Sequence, residues 1–198
     1  MARNIIDLPT LGDDGKLYRD TAVDMVESLI PNLWKSCHAP DLLELENGDL
    51  LCCWFAGSRE GNADISIAVA RLPADAEQWE QPVIVSDDPT RSEQNPSLFQ
   101  NPNGDIWLMY TAQATKKPDD NSDGSMQGTA EIRRKISRDG GRTWGPTEAV
   151  FTRPGSFCRQ KIQVLSNGRW IFNNFICALD GTRSVSYTHL RAHETLMN

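Results

Sequence analysis

The chain lacks a basic excess, a long apolar run and a paired set of cysteines, and each absence removes a class of function. Its 198 residues carry 20 Lys and Arg against 27 Asp and Glu, a net charge of −7. No local basic run offsets that balance, which argues against a nucleic-acid or anionic-membrane surface. The N-terminus, MARNIIDLPTLGDDGK, is too polar for a signal peptide. No later stretch approaches the roughly 20 apolar residues of a membrane span, so the sequence reads as soluble and cytoplasmic. Five cysteines, with Cys52 and Cys53 adjacent and on opposite sides of a strand, make no disulfide framework. Cys37, Cys158 and Cys177 read likewise as small core or near-site residues. G-x-S-x-G, Walker A, G-x-G-x-x-G and paired C-x-x-C strings are all missing, so serine-hydrolase, nucleotide and zinc chemistry lack support. What is present, 39% apolar and 24% charged residues, is the composition of an ordinary globular chain.

Three segments then line up on a shared Asn-Gly pair: Ala39 to Trp54, Asn95 to Tyr110, and Arg159 to Asn174. Each reads as strand, turn, strand. The pairs Asn47-Gly48, Asn103-Gly104 and Asn167-Gly168 suit type I′ hairpins between apolar runs. After the first hairpin, Asp64 to Leu72 reads as a third strand and PVIVS as a fourth; after the second, Thr129 to Ser137 and EAVF follow in the same phase. Four-stranded units at this period point to an all-β propeller of about three blades, over residues 37–90, 91–153 and an incomplete 154–182. Residues 1–36 form an N-terminal segment in which MVESLI, Met25 to Ile30, is expected as an outer strand that closes a ring. Residues 183–198 show no strand period and no echo of the blades, and are expected not to be native sequence. Three blades leave unpacked faces at both ends, so the chain is expected to be the N-terminal half of a longer protein.

Between the third and fourth strands of the second unit stands Ser137-Arg138-Asp139-Gly140-Gly141-Arg142-Thr143-Trp144. Asp139 can cap backbone N–H groups, the glycines supply positive φ, and Trp144 covers an apolar seam. This S-x-D-x-G-x-T-W string resembles the Asp box of sialidase-superfamily β-propellers, which are six-bladed. In the first unit Trp79 and Pro82 occupy the corresponding place in a degenerate copy. The resemblance extends over residues 36–180. It implies a glycoside hydrolase with an R-I-P motif ahead of its first innermost strand and an acid/base carboxylate in the loop that follows.

The propeller geometry nominates site residues independently, because the innermost strands converge at one mouth of the funnel. Polar residues at or before the start of those strands are His38 with Asp41, Gln94 with Asn95, and Arg159 with Lys161. His38-Ala39-Pro40 stands where the resemblance places R-I-P, and an imidazole cannot reproduce the bidentate grip of a guanidinium on a carboxylate. The loop GSREGNADI carries two acid/base candidates, Asp64 and Glu60, with Asp64 equally readable as a cap on the third strand. Arg59 reads as an anion binder or a partner of Glu60. Arg159 and Lys161 point to an anionic sugar, or else balance Asp41 and Glu93. Trp54, Trp107 and Trp170 read as core. Asp119, Asn121, Asp123 and Gly124 match the first half of an EF-hand loop, but its twelfth position is Ala130, and Glu131 comes one residue late. The segment reads as a polar loop; no metal and no cofactor are implied.

The leading expectation is therefore a sialidase-like exo-glycoside hydrolase acting on an acidic terminal sugar, inactive as this length of chain because its Tyr/Glu nucleophile pair belongs to later blades. One alternative is a polysaccharide lyase in which His38 removes a proton beside a uronate carboxylate. The other is a non-catalytic propeller that binds sugar or protein.

Overall fold

The computed structural model describes residues 6–7, 11–115, 126–178 and 183–190. A small sheet comes first, from β1 (Ile6–Asp7), β2 (Tyr18–Asp20) and β3 (Met25–Glu27). Three four-stranded sheets follow. The first is β4 (Ser36–Glu44), β5 (Leu50–Gly57), β6 (Ser66–Leu72) and β7 (Val83–Ile84), in sequence order. The second is β8 (Arg91–Gln100), β9 (Ile106–Ala114), β10 (Glu131–Ser137) and β11 (Glu148–Phe151), with a 3-10 turn at Met126–Thr129 before β10. The third is built on β14 (Trp170–Cys177), which pairs with β12 (Ser156–Cys158) and β13 (Gln163–Val164) on one side and with β15 (Arg183–Leu190) on the other. All pairing within these three sheets is antiparallel.

Strands β5, β6 and β9 are largely apolar without alternation because the sheets stack face to face and bury both sides of each. On β5, Leu51, Cys53 and Phe55 pack with Leu98, Ile106, Leu108 and Tyr110 of the second sheet. Cys52, Trp54 and Ala56 face the other way, onto Leu17 and Trp79. On β9, Trp107 and Met109 turn toward Trp170 and Phe172 of the third sheet. Trp54, Trp107 and Trp170 are thus core, as expected. Four cysteines are buried, whereas Cys37 is exposed.

The hairpin turns differ from the expected type I′. In each sheet a glycine N–H closes a turn onto the carbonyl three residues earlier (Gly48 to Leu45, Gly104 to Asn101, Gly168 to Leu165), and that earlier residue donates to the carbonyl four ahead. Only the glycine has positive φ, at 84°, 88° and 76°; Asn47, Asn103 and Asn167 do not. This is a three-residue loop with a G1 bulge, in which Asn47 and Asn167 accept the N–H two residues on through their side-chain oxygens.

The outer loops keep the expected phase. Glu80 donates to the Arg71 carbonyl and Gly145 to the Ile136 carbonyl, which puts Trp79 and Trp144 at equivalent places. Met25–Glu27 is a strand, but it pairs with β2 in the separate small sheet. The backbone of residues 183–190, where the sequence shows no strand period, runs alongside β14 from Arg183 to Leu190. The EF-hand-like residues 119–124 lie outside the described residues.

Candidate active site

The first strand of every sheet is broken at the same level. Along β4, His38 pairs with Phe55 and Asp41 with Cys53, so Ala39 and Pro40 together face Trp54. Along β8, Gln94 pairs with Thr111 and Ser97 with Met109, leaving Asn95 and Pro96 against Tyr110. In the third sheet, Cys158 pairs with Asn174 and Gln163 with Ile171, so Arg159 to Ile162 leave the ladder. The strand expected to start at Arg159 is therefore two short strands around a wider bulge. Ala39 and Asn95 have φ of 53° and 48°. For alanine that conformation costs about 1–2 kcal/mol. Proline at the next position cannot donate to the ladder, which suits a bulge. Each bulge redirects its polar side chains off the sheet.

The three bulges converge on a cavity of about 1100 Å³, slightly larger than ordinary ligand sites. His38, Asp41, Glu60, Gln94, Asn95, Arg159 and Lys161 all line it, which brings together seven of the nine residues that the sequence singles out. Arg59 and Asp64 do not line it. Asp64 instead accepts from the Ser58 N–H at 2.9 Å and from the Ser58 hydroxyl at 2.8 Å. That clasp, with Asn62 N–H bonded to the Arg59 carbonyl, folds the loop so that Glu60 reaches the cavity. Arg59 and Glu60 form no ion pair with each other among the described residues.

The charged groups are not equally committed. Lys161 Nζ lies 3.2 Å from Asp41 and also donates to the Leu42 carbonyl, while the second Asp41 oxygen accepts from Leu98 N–H at 2.8 Å. Arg159 and Glu60, by contrast, have no hydrogen-bond or ion-pair partner among the described residues. His38 stacks on Phe55 with ring centroids 5.3 Å apart and makes no hydrogen bond there. Gln94 donates to the Ser92 hydroxyl. Beside Gln94, burial pushes the Glu93 carboxyl above its usual range despite Arg133 nearby. Cys158 sits just before Arg159, and burial pushes its thiol up to about 12, which keeps it protonated and unfit as a nucleophile.

Sequence reasoning missed the aromatic pair Phe157 and Phe175, whose rings lie 4.9 Å apart in the cavity wall, and also Gln127, Gln160 and Gln163. Gln160 belongs to the third bulge and shares its polar signal, and Gln163 is the first residue paired after it. Gln127 follows the 116–125 segment and carries no local signal.

With the site in view, the sequence matches the BNR repeat-like domain family over residues 48–193, more than half of the chain. The chain belongs to that family. Comparison with curated proteins finds no match. Among solved structures, it is similar to Hadza microbial sialidase Hz136, at 15% identity and TM-score 0.65, over 82% of this chain and 36% of that one. It is similar to the endo-arabinase from Bacteroides thetaiotaomicron, at 13% identity and TM-score 0.58, over 82% and 59%. A third likeness is to the NanB sialidase from Streptococcus pneumoniae, at 12% identity and TM-score 0.57, over 80% and 44%. The BNR-family chain thus spans less than two thirds of each of these structures. At such identities the likeness carries the fold, an all-β propeller of the sialidase type.

Proposed function

We propose that the full-length protein is an exo-acting glycoside hydrolase that removes an acidic sugar from a glycan terminus. The observation that carries this reading is the pairing, in one axial cavity, of an uncommitted carboxylate, Glu60, with an uncommitted guanidinium, Arg159. Glu60 is the acid/base that protonates the glycosidic oxygen. It is preferred over Asp64 because both Asp64 oxygens are bonded to Ser58 outside the cavity. Arg159 forks onto the sugar carboxylate, while His38, Gln94 and Asn95 meet its hydroxyl groups. Two-carboxylate hydrolysis needs a second reacting group. The other described carboxylate on the cavity, Asp41, has both oxygens engaged, so that group is expected from later blades.

The test is hydrolysis of 4-methylumbelliferyl sialosides and uronides by the full-length protein. Glu60→Gln is expected to lower kcat by about 10²–10⁴ with KM little changed, Asp64→Asn, which keeps one acceptor for Ser58 and so weakens the clasp without removing it, to lower kcat far less, and Arg159→Ala to raise KM for acidic glycosides. Equal activity of Glu60→Gln and the parent protein would sink the assignment. A second reading draws on His38, whose imidazole rests on Phe55 without a hydrogen bond and is free to take the proton beside a uronate carboxylate held by Arg159. That lyase would release an unsaturated product with ultraviolet absorbance, which hydrolysis does not produce. Binding of glycans with no turnover of any kind would favour a non-catalytic propeller.

A further inference from the structure

Resting on that reading, we propose that Asp41 and Lys161 do not bind substrate but form a latch across the propeller axis that positions His38 and Arg159. The latch leaves Arg159 as the cation that reads a single carboxylate on the sugar. Asp41 closes the first bulge, three residues after His38, and Lys161 lies within the third, two residues after Arg159. Their ion pair at 3.2 Å therefore joins the two segments that carry the imidazole and the guanidinium. The same carboxylate accepts the Leu98 N–H at 2.8 Å, two residues beyond the second bulge, so one side chain holds all three bulged strands. Lys161 adds a bond to the Leu42 carbonyl, which commits a second of its three donors to the first sheet.

Charge supports the same division of labour. The charged residues lining the cavity are Asp41, Glu60, Arg159 and Lys161. Asp41 and Lys161 cancel each other, so Arg159 is the lining cation with no anionic protein partner among the described residues. One guanidinium matches one carboxylate; a sulfated, multiply charged sugar would meet no second free cation among the described residues. Lys161 is thus a positioning residue, and the specificity falls to Arg159.

The experiment compares the full-length protein with its Asp41→Asn, Lys161→Met, Lys161→Arg and Arg159→Ala variants. The substrates are an acidic glycoside that it turns over and the carboxyl-reduced counterpart. A latch predicts that Asp41→Asn and Lys161→Met lose activity by the same factor, tenfold or more, on both substrates and mainly in kcat. It also predicts that the double variant is no worse than the poorer single one, and that Lys161→Arg restores most of the rate. Arg159→Ala should lose activity on the acidic substrate alone. A Lys161→Met loss confined to the acidic substrate overturns the proposal, because it makes Lys161 a reader of the carboxylate. Amide exchange at Leu98, which needs no substrate, decides the latch separately. It should quicken in both Asp41→Asn and Lys161→Met and stay unchanged in Arg159→Ala, and unchanged exchange in Lys161→Met overturns the latch. Quickened exchange without turnover of any glycoside would keep the latch and reject the hydrolase.

Discussion

The outer hairpin of the second blade and the bulges at the axis are both irregular, yet their irregularity is stabilised in opposite ways. In the hairpin, Asp139 accepts from the Ser137 hydroxyl, the Arg142 and Thr143 N–H groups and the Thr143 hydroxyl, all within four residues. Ser137 in turn accepts the Gly141 N–H at 2.7 Å. At the axis the partners are remote: Asp41 meets Leu98 and Lys161, and Cys158 N–H donates to the Thr111 hydroxyl at 2.8 Å. The Asp139 hairpin, satisfied by its own neighbours, serves the fold, whereas a bulge held by other blades leaves a side chain such as Arg159 free for a ligand; Glu60 comes instead from a loop that Asp64 closes locally on Ser58. None of the hairpin residues lines the cavity.

Three substitutions probe this contrast. The largest stability effect is expected for Gly141→Ala. Gly141 has φ of 84°, and a Cβ there would come within 2.7 Å of Leu51 Cδ1 in the packed core between the first two blades. Left-handed strain and overpacking together should cost about 2–5 kcal/mol, read by urea denaturation, while the folded fraction keeps its parental kcat. A fall in kcat per folded molecule would break the separation between scaffold and site.

Asp139→Ala should cost less, about 1 kcal/mol at pH 7, the scale of a lost cap. Its hydrogen bonds, that of the Thr143 hydroxyl foremost, hold the Asp139 carboxyl well below the usual carboxylate range. A depressed folded value means that the stabilisation is complete above the unfolded value near 4 and is lost as pH falls through the folded one. The gap between parent and variant should therefore close in acid. A gap that stayed constant down to pH 2 would show that packing, rather than the charged acceptor, accounts for it.

The smallest stability effect is expected for Ala39→Gly. Relief of the strain at φ of 53° opposes the extra entropy of an unfolded glycine, so the melting temperature should move little. The loosened bulge should nonetheless lower kcat several fold by freeing His38. Unchanged kcat would mean that the bulge is held by the latch alone.

The three hairpins were legible in the sequence because Asn-Gly pairs and apolar runs are local signals, although the turn they make is a bulged three-residue loop. The Asp box was legible for the same reason. His38, Gln94 and Arg159 were legible as polar breaks in apolar strands. The different fates of Glu60 and Asp64 were not, since one loop holds both and only its closure by Ser58 separates them. Phe175 and Gln127 were not legible, because a phenylalanine in a strand and a glutamine in a 3-10 turn read the same whether or not they face a cavity.

The repeat, the all-β blades and the positions of the hairpin turns are written in the amino-acid order, because backbone hydrogen bonding and side-chain alternation act over a few residues. The tertiary structure decided which charges are spent and which are free. Lys161 and Arg159 are nearly adjacent in the chain, but the first is neutralised by Asp41 across the axis and the second is not. That difference depends on where another blade places a carboxylate, and the spacing of residues along one strand does not encode it.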